Sequence, residues 1–244
     1  MRANSNITLS TATCEPLSLP GLPWPVELHA HPRARHLRLR LDEARGVLRL
    51  TVPRRTGRRA ALDWARGQSD WVATQLAGLA PAEPLDPGAE IPFDGVPIRL
   101  EWRADAPRAP RLDDRVLSCG GPRECFADRI LRWLRTEARR QMSAETLRIT
   151  HAGGIADGPV SVGDAGTRWG SCSAAGAIRY NWRLILAPPE IRGFVVAHEV
   201  AHRVHHNHGA GFHALERQLY GGDVAAARLE LRRIGPRLKR VGRG

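Results

Sequence analysis

Lysine is almost absent from this chain. It has 244 residues and 37 basic side chains, and Lys239 is its one lysine. Cysteine is sparse as well: Cys14, Cys119, Cys125 and Cys172 are scattered and form no CxxC pair. That pattern excludes a disulfide framework and a cysteine-ligated zinc site, and leaves reduced thiols of a cytosolic protein as the expectation. No apolar run approaches the roughly eighteen residues of a membrane-spanning helix, so no membrane partner is expected. Residues 1–25, MRANSNITLSTATCEPLSLPGLPWP, lack a continuous apolar segment and read as a flexible polar lead-in, not a signal peptide. A cytoplasmic location follows as the expectation. The chain has no internal repeat.

What is present fits a globular protein. Hydrophobic residues make up 42% and charged residues 25%, and the length suffices for one domain or two small lobes. The formal charge is +12. From Arg33 to Arg59 ten arginines face Asp42 and Glu43, and from Arg228 to Arg243 seven basic residues face Glu230. Such segments can attract nucleic acid or acidic partners. No nucleic-acid motif accompanies them, and a solvated basic face that uses arginine in place of lysine accounts for them more simply.

The pattern of apolar residues predicts an α+β protein. Residues 37–41 (LRLRL) and 48–52 (LRLTV) alternate as half-buried strands do, with DEARG as a hairpin connection. A helix is expected over 57–79, with Leu62, Trp71, Val72, Leu76 and Leu79 on its apolar side, followed by a breaker-rich link at 81–88. EIPFDG and VPIRLEW form a second strand pair turning at Asp94-Gly95. A short strand is expected at 115–119. A helix over about 122–147 would bury Phe126, Ile130, Trp133, Leu134 and Ala138. Strands at 160–162 and 178–186 precede a helix opened by Pro188-Pro189, and a last helix spans about 223–238. The expected division is a strand-rich part, 26–120, and a helix-bearing part, 121–240, of one domain spanning 26–240.

Six of the ten histidines fall in the sixteen residues HEVAHRVHHNHGAGFH, from His198 to His213. His198, Glu199 and His202 form H-E-x-x-H. Positions i and i+4 of a helix share a face, so two imidazoles can grip one cation. Glu199, turned by about 100°, can reach a water on that metal without ligating it, and can shuttle the proton. The composition gives about 0.02 chance matches to this pattern, so it is specific. Ile191, Phe194 and Val195 continue the same stripe, which buries the histidine face. Core histidines satisfied by ordinary hydrogen bonds are the alternative.

A catalytic zinc takes three protein ligands and keeps one position open. His206 lies about 12 Å from His198 along a straight helix, too far to share an ion, and His205 fails for the same reason. Asn207-His208-Gly209 supplies a turn that brings His208 back. His208 is therefore favoured as third ligand, with Glu216 and Asp223 as fallbacks. His205, His206 and His213 read as neighbours.

Several segments together resemble the YgjP-like metal-dependent hydrolases, relatives of the SprT and WLM zinc peptidases. They are Arg168-Trp169-Gly170-Ser171-Cys172-Ser173, Gly176-Ala177-Ile178, Asn181-Trp182-Arg183-Leu184, FVVAHEVAH and NHGAGFH. The resemblance extends over about residues 30–240. It implies a zincin-like catalytic lobe with its H-E-x-x-H helix packed on a small sheet, one zinc on His198, His202 and His208, and Glu199 as general base. This chain departs from the family pattern at Gly209, where serine is usual, and at His213, where tryptophan is usual. Val200 is a milder change.

The segment around Gly170 admits two readings. Its strand could offer an edge to an extended peptide, with Gly170 permitting close backbone approach and Arg168 facing substrate or an oxyanion. Alternatively Trp169 and Cys172 fill the core and Arg168 forms an ion pair. The function these readings support is a cytosolic zinc-dependent hydrolase acting on peptide or protein substrates. The alternatives are a nucleic-acid-associated protein that uses its arginine-rich faces, and a closed, non-catalytic zinc site.

Overall fold

A computed structural model describes residues 15–43 and 45–243. The chain resolves into two compact units, Met1–Leu79 and Ala80–Gly244, and the division falls beside the breaker-rich link. Residues 1–14 of the expected lead-in, Cys14 among them, lie outside the described residues. The remainder of that segment is tied down. Leu17 and Val26 exchange backbone hydrogen bonds of 2.9 and 2.8 Å, and Leu19 and Leu22 are buried.

The first unit is a three-stranded sheet with two short helices. Strands β1 (Val26–His31), β2 (Arg38–Asp42) and β3 (Val47–Pro53) take the order β1-β3-β2. β2 and β3 form the expected hairpin, and β1 runs parallel to β3. Alternation buries Leu39, Leu48, Leu50 and Val52 and leaves Arg38, Arg40 and Arg49 exposed. The single helix expected over 57–79 is two: α1 (Arg58–Arg66) and α2 (Ser69–Ala77). Gly67 caps the first, its N–H donating to Asp63 O, and Gln68 leaves helical geometry. The break changes the phase of the apolar stripe. Ala61, Ala65 and Val72 face the core, whereas Trp71 is 40% exposed.

The second unit is α+β, with two sheets and four helices. β4 (Glu90–Phe93), β5 (Val96–Trp102), β6 (Arg111–Asp113) and β7 (Val116–Cys119) form one sheet in the order β4-β5-β7-β6. Its first hairpin turns at Asp94 and Gly95, whose φ values of 49° and 77° explain the Asp-Gly pair. β8 (Val160–Gly163), β9 (Gly170–Cys172) and β10 (Ile178–Asn181) form the other, in the order β8-β10-β9. β9 is thus an edge strand, antiparallel to β10.

The helices are α3 (Phe126–Ala152), α4 (Pro189–Ala201), α5 (Ala210–Tyr220) and α6 (Val224–Leu238). α3 buries Phe126, Ile130, Leu134, Ala138 and Met142, one per turn. Trp133 is only partly buried and packs 5.4 Å from Phe93, ring to ring. The strand expected over 178–186 stops at Asn181. There the side chain accepts from the Arg183 N–H and opens a buried 3-10 turn, Trp182–Leu186. Among the described residues no helix is long and apolar enough to cross a membrane.

Candidate metal centre

Helix α4 starts where proline suits it, with Pro188 as N-cap and Pro189 at its first turn. The β4–β5 hairpin fixes this start. Asp94 and Gly95 donate their N–H groups to Ile185 O and Leu186 O, and Arg192 on α4 pairs with Asp94 and, at 3.1 Å, with Glu145. Ile191, Phe194, Val195, Val196 and Val200 are buried, so the helix sits in the core of its unit. His198 and Glu199 lie in its last turn, and His202 is its C-cap.

The chain then turns. The N–H groups of Val204 and His205 both donate to Ala201 O, and Asn207 Oδ1 accepts from Gly209 N–H at 3.2 Å. Gly209 caps α5. This brings His208 back over α4. One nitrogen each from His198, His202 and His208 lies within 4.8 Å of the others, and the Nε2 atoms of His198 and His208 are 3.4 Å apart. Two nitrogens bound tetrahedrally to one zinc at 2.0–2.1 Å would stand about 3.3 Å apart.

In His198 and His202 the other ring nitrogen is already committed. His202 Nδ1–H donates to the His205 carbonyl at 3.0 Å, and His198 Nδ1–H donates to Glu216 Oε1 at 2.7 Å. Each bond fixes the tautomer that leaves Nε2 with a free lone pair. Burial lowers the pKa of both His198 and His202, which keeps them neutral and able to ligate.

Glu216 is fully buried and accepts from His198, from His213 Nδ1 at 3.2 Å and from Arg228 Nη2 at 3.3 Å. Burial pushes its carboxyl up, but these partners outweigh that and hold it below its ordinary value. Glu216, a fallback ligand by sequence, therefore orients a histidine instead. Asp223, the other fallback, is the N-cap of α6 and accepts from Ala225 and Ala226 N–H. His206 is exposed, and His205 contributes its carbonyl. Beneath the three histidines lies the Phe212 ring, 4.5 to 5.0 Å away between centroids.

Glu199 is buried, and its Oε2 has no hydrogen-bond partner among the described residues. Burial pushes its pKa up to about 7, with Arg168 opposing. Such an orphaned oxygen is costly unless a water or substrate group reaches it. Gly170 of β9 lies directly above. A Cβ there would come within 2.6 Å of Glu199 Cγ and Cδ. The close approach expected at Gly170 is thus first of all to the Glu199 side chain.

A cavity of about 460 Å³ opens beside these groups. Trp169, Phe194, Val195 and Leu231 give it apolar walls, and Arg168, Glu199, His198, His208 and His213 reach into it. Arg168 is exposed and makes no ion pair among the described residues, while Trp169 and Cys172 pack against the core.

Two contributors escaped sequence reasoning. Helix α5, which carries Phe212, His213 and Glu216, hides behind the glycines at 209 and 211; the spacing of Phe212, Leu215 and Leu219 could have revealed it. Arg203 ties the end of α4 to three carbonyls, those of Ala156, Gly158 and Gly176, at 3.0 to 3.2 Å. No local pattern announces that role.

The donor set suits a divalent ion: three imidazoles on one point, with a partnerless carboxylate beside them. No curated protein and no solved structure gave a significant match to the chain. The family model that describes the YgjP-like metallopeptidase domain does match, and peptidases of this kind work through a divalent metal. Because that match runs over residues 35–233, well over half the chain and the whole histidine site, the chain belongs to the YgjP-like metallopeptidase family.

Proposed function

We infer that the chain is a zinc-dependent peptidase with a zincin-like site. His198, His202 and His208 hold one zinc per chain, and Glu199 is the general base. The observation that carries this reading is the convergence of three imidazole nitrogens beside the partnerless Glu199 oxygen. A zinc ion held there supplies Lewis acidity toward a carbonyl and lowers the pKa of water.

The chain's own residues then divide the work. Glu199, made more basic by burial, takes the proton of the attacking water and returns it to the leaving amine. Glu216 and the His205 carbonyl hold two imidazoles in direction. The apolar walls exclude water. Arg168 lines the cavity as a substrate-facing cation. The open edge of β9 suits an extended peptide added as a further strand. With three histidines as its protein ligands, a zinc would keep one position for water or substrate, as chemistry requires. Cys119, Cys125 and Cys172 are all free thiols, which supports a reducing, cytoplasmic location.

Glu199→Gln tests this directly. The variant should keep one zinc per chain and lose about 10²- to 10⁴-fold in the rate of peptide hydrolysis. Hydrolysis at the wild-type rate in that variant would refute the assignment.

A further inference from the structure

A second cavity, of about 260 Å³, lies beside strand β9. Asp164, Ser171 and Arg179 line it, and it shares Arg168, Trp169 and Gly170 with the metal-centre cavity. Successive side chains of a strand point to opposite sides. Gly170 faces Glu199, and its cross-strand partner Tyr180 is buried and hydrogen-bonded to Thr146 of α3. Ser171 and its partner Arg179 therefore face the other way, and Arg179 is exposed. Its guanidinium lies over Gly163, where a Cβ would come within 2.8 Å of Cζ. Only the bare backbone leaves it room.

The polar groups of this cavity divide into committed and uncommitted. Asp164 pairs with Arg183, with Arg243 at 2.8 Å and with Arg135 at 3.9 Å. Asn181 donates to Ala165 O and accepts from Arg183 N–H. Arg168, Arg179 and the Ser171 hydroxyl have no side-chain partner among the described residues. All three are donors, and two carry positive charge. That set complements a carboxylate.

We propose that this second cavity is a specificity subsite that binds a carboxylate of the peptide substrate through Arg179, Arg168 and Ser171. The proposal rests on the peptidase reading. A peptide laid along the β9 edge sends alternate side chains to the two faces. One enters the cavity walled by Phe194, Val195 and Leu231, and its neighbour meets the two guanidiniums. The substrate class is a peptide with an apolar residue next to an acidic one or to the chain's own terminal carboxylate.

Peptide binding to the zinc-supplied Glu199→Gln chain tests this without turnover. Labelled decapeptides carry Glu, Gln or Lys at each position in turn, with the C-terminus free or amidated. At one position the Glu peptide should bind at least about tenfold tighter than the Gln peptide. A preference that survives amidation assigns the subsite to a side chain, and one that needs the free terminus assigns it to the chain end. Adding Arg179→Gln should abolish the preference by weakening the Glu peptide. Adding Arg179→Glu should turn the preference toward Lys, a result that only a folded protein can give. Equal binding of the three peptides, no binding of any, or a preference that survives Arg179→Gln would overturn the proposal. Hydrolysis by the wild type is measured separately, so failure of the peptidase reading is seen there and not in the binding.

Discussion

One carboxylate, Glu216, fixes the direction of two histidines and one arginine. Its charge is held by those partners against the push of burial, so His198 must donate from Nδ1 and present Nε2. Glu216→Gln keeps the shape and removes the charge. Zinc affinity should fall about 10- to 100-fold, as when a partner behind a ligating histidine is lost. Competition with a chromophoric chelator reads this out, and unchanged affinity would show that Glu216 only packs. At this scale His198, Glu199 and His202 were legible, since i, i+4 spacing on an apolar stripe leaves few alternatives. His208 was legible from turn chemistry. The role of Glu216 was not. Its spacing from His198 allowed ligation, and only the direction of α5 makes it a partner behind the ring.

Among the elements, β9 and α4 approach closely. Gly170 lies so near Glu199 that a methyl group has no place. Gly170→Ala should therefore leave zinc content at one per chain and displace the Glu199 carboxylate. A displacement of about 1 Å costs on the order of 100-fold in rate. Zinc loss together with unfolding would point to a role in the sheet instead. Element type was mostly readable here: alternation marked β2 and β3, Asp-Gly marked the β4–β5 turn, and the stripe from Phe126 marked α3. Boundaries and short pieces were less so. Gly67 split one expected helix because glycine weakens the helix where the stripe changes phase. Asn181 ended a strand by offering its side chain to the Arg183 N–H, a competition that periodicity does not register.

For the molecule as a whole, arginine serves as internal clamp as well as surface charge. In the first unit Glu27 is buried and gripped by Arg45 through both guanidinium nitrogens, with His29 adjacent. In the second, Asp164 is gripped by Arg183 and Arg243. Burial pushes both carboxyls up, and the cations outweigh it, so each ends below its ordinary value. A carboxyl depressed in the folded state stabilises it above the unfolded pKa, and that contribution is lost as pH falls through the folded value. Thermal melts from pH 7 downward should therefore weaken below about pH 4. Glu27→Gln should lower stability at pH 7 and flatten this acid limb, and an unchanged limb would contradict the assignment. The charge runs at 33–59 and 228–243 were visible in the sequence, but which arginines turn inward depends on long-range packing.

The central claim is that three histidines hold one metal. Metal content per chain, measured on the purified wild type beside His208→Ala after both are supplied with zinc, tests it most directly. The wild type should hold one zinc and the variant little. A folded wild type that takes up no metal, or a His208→Ala variant that keeps a full equivalent, would contradict it.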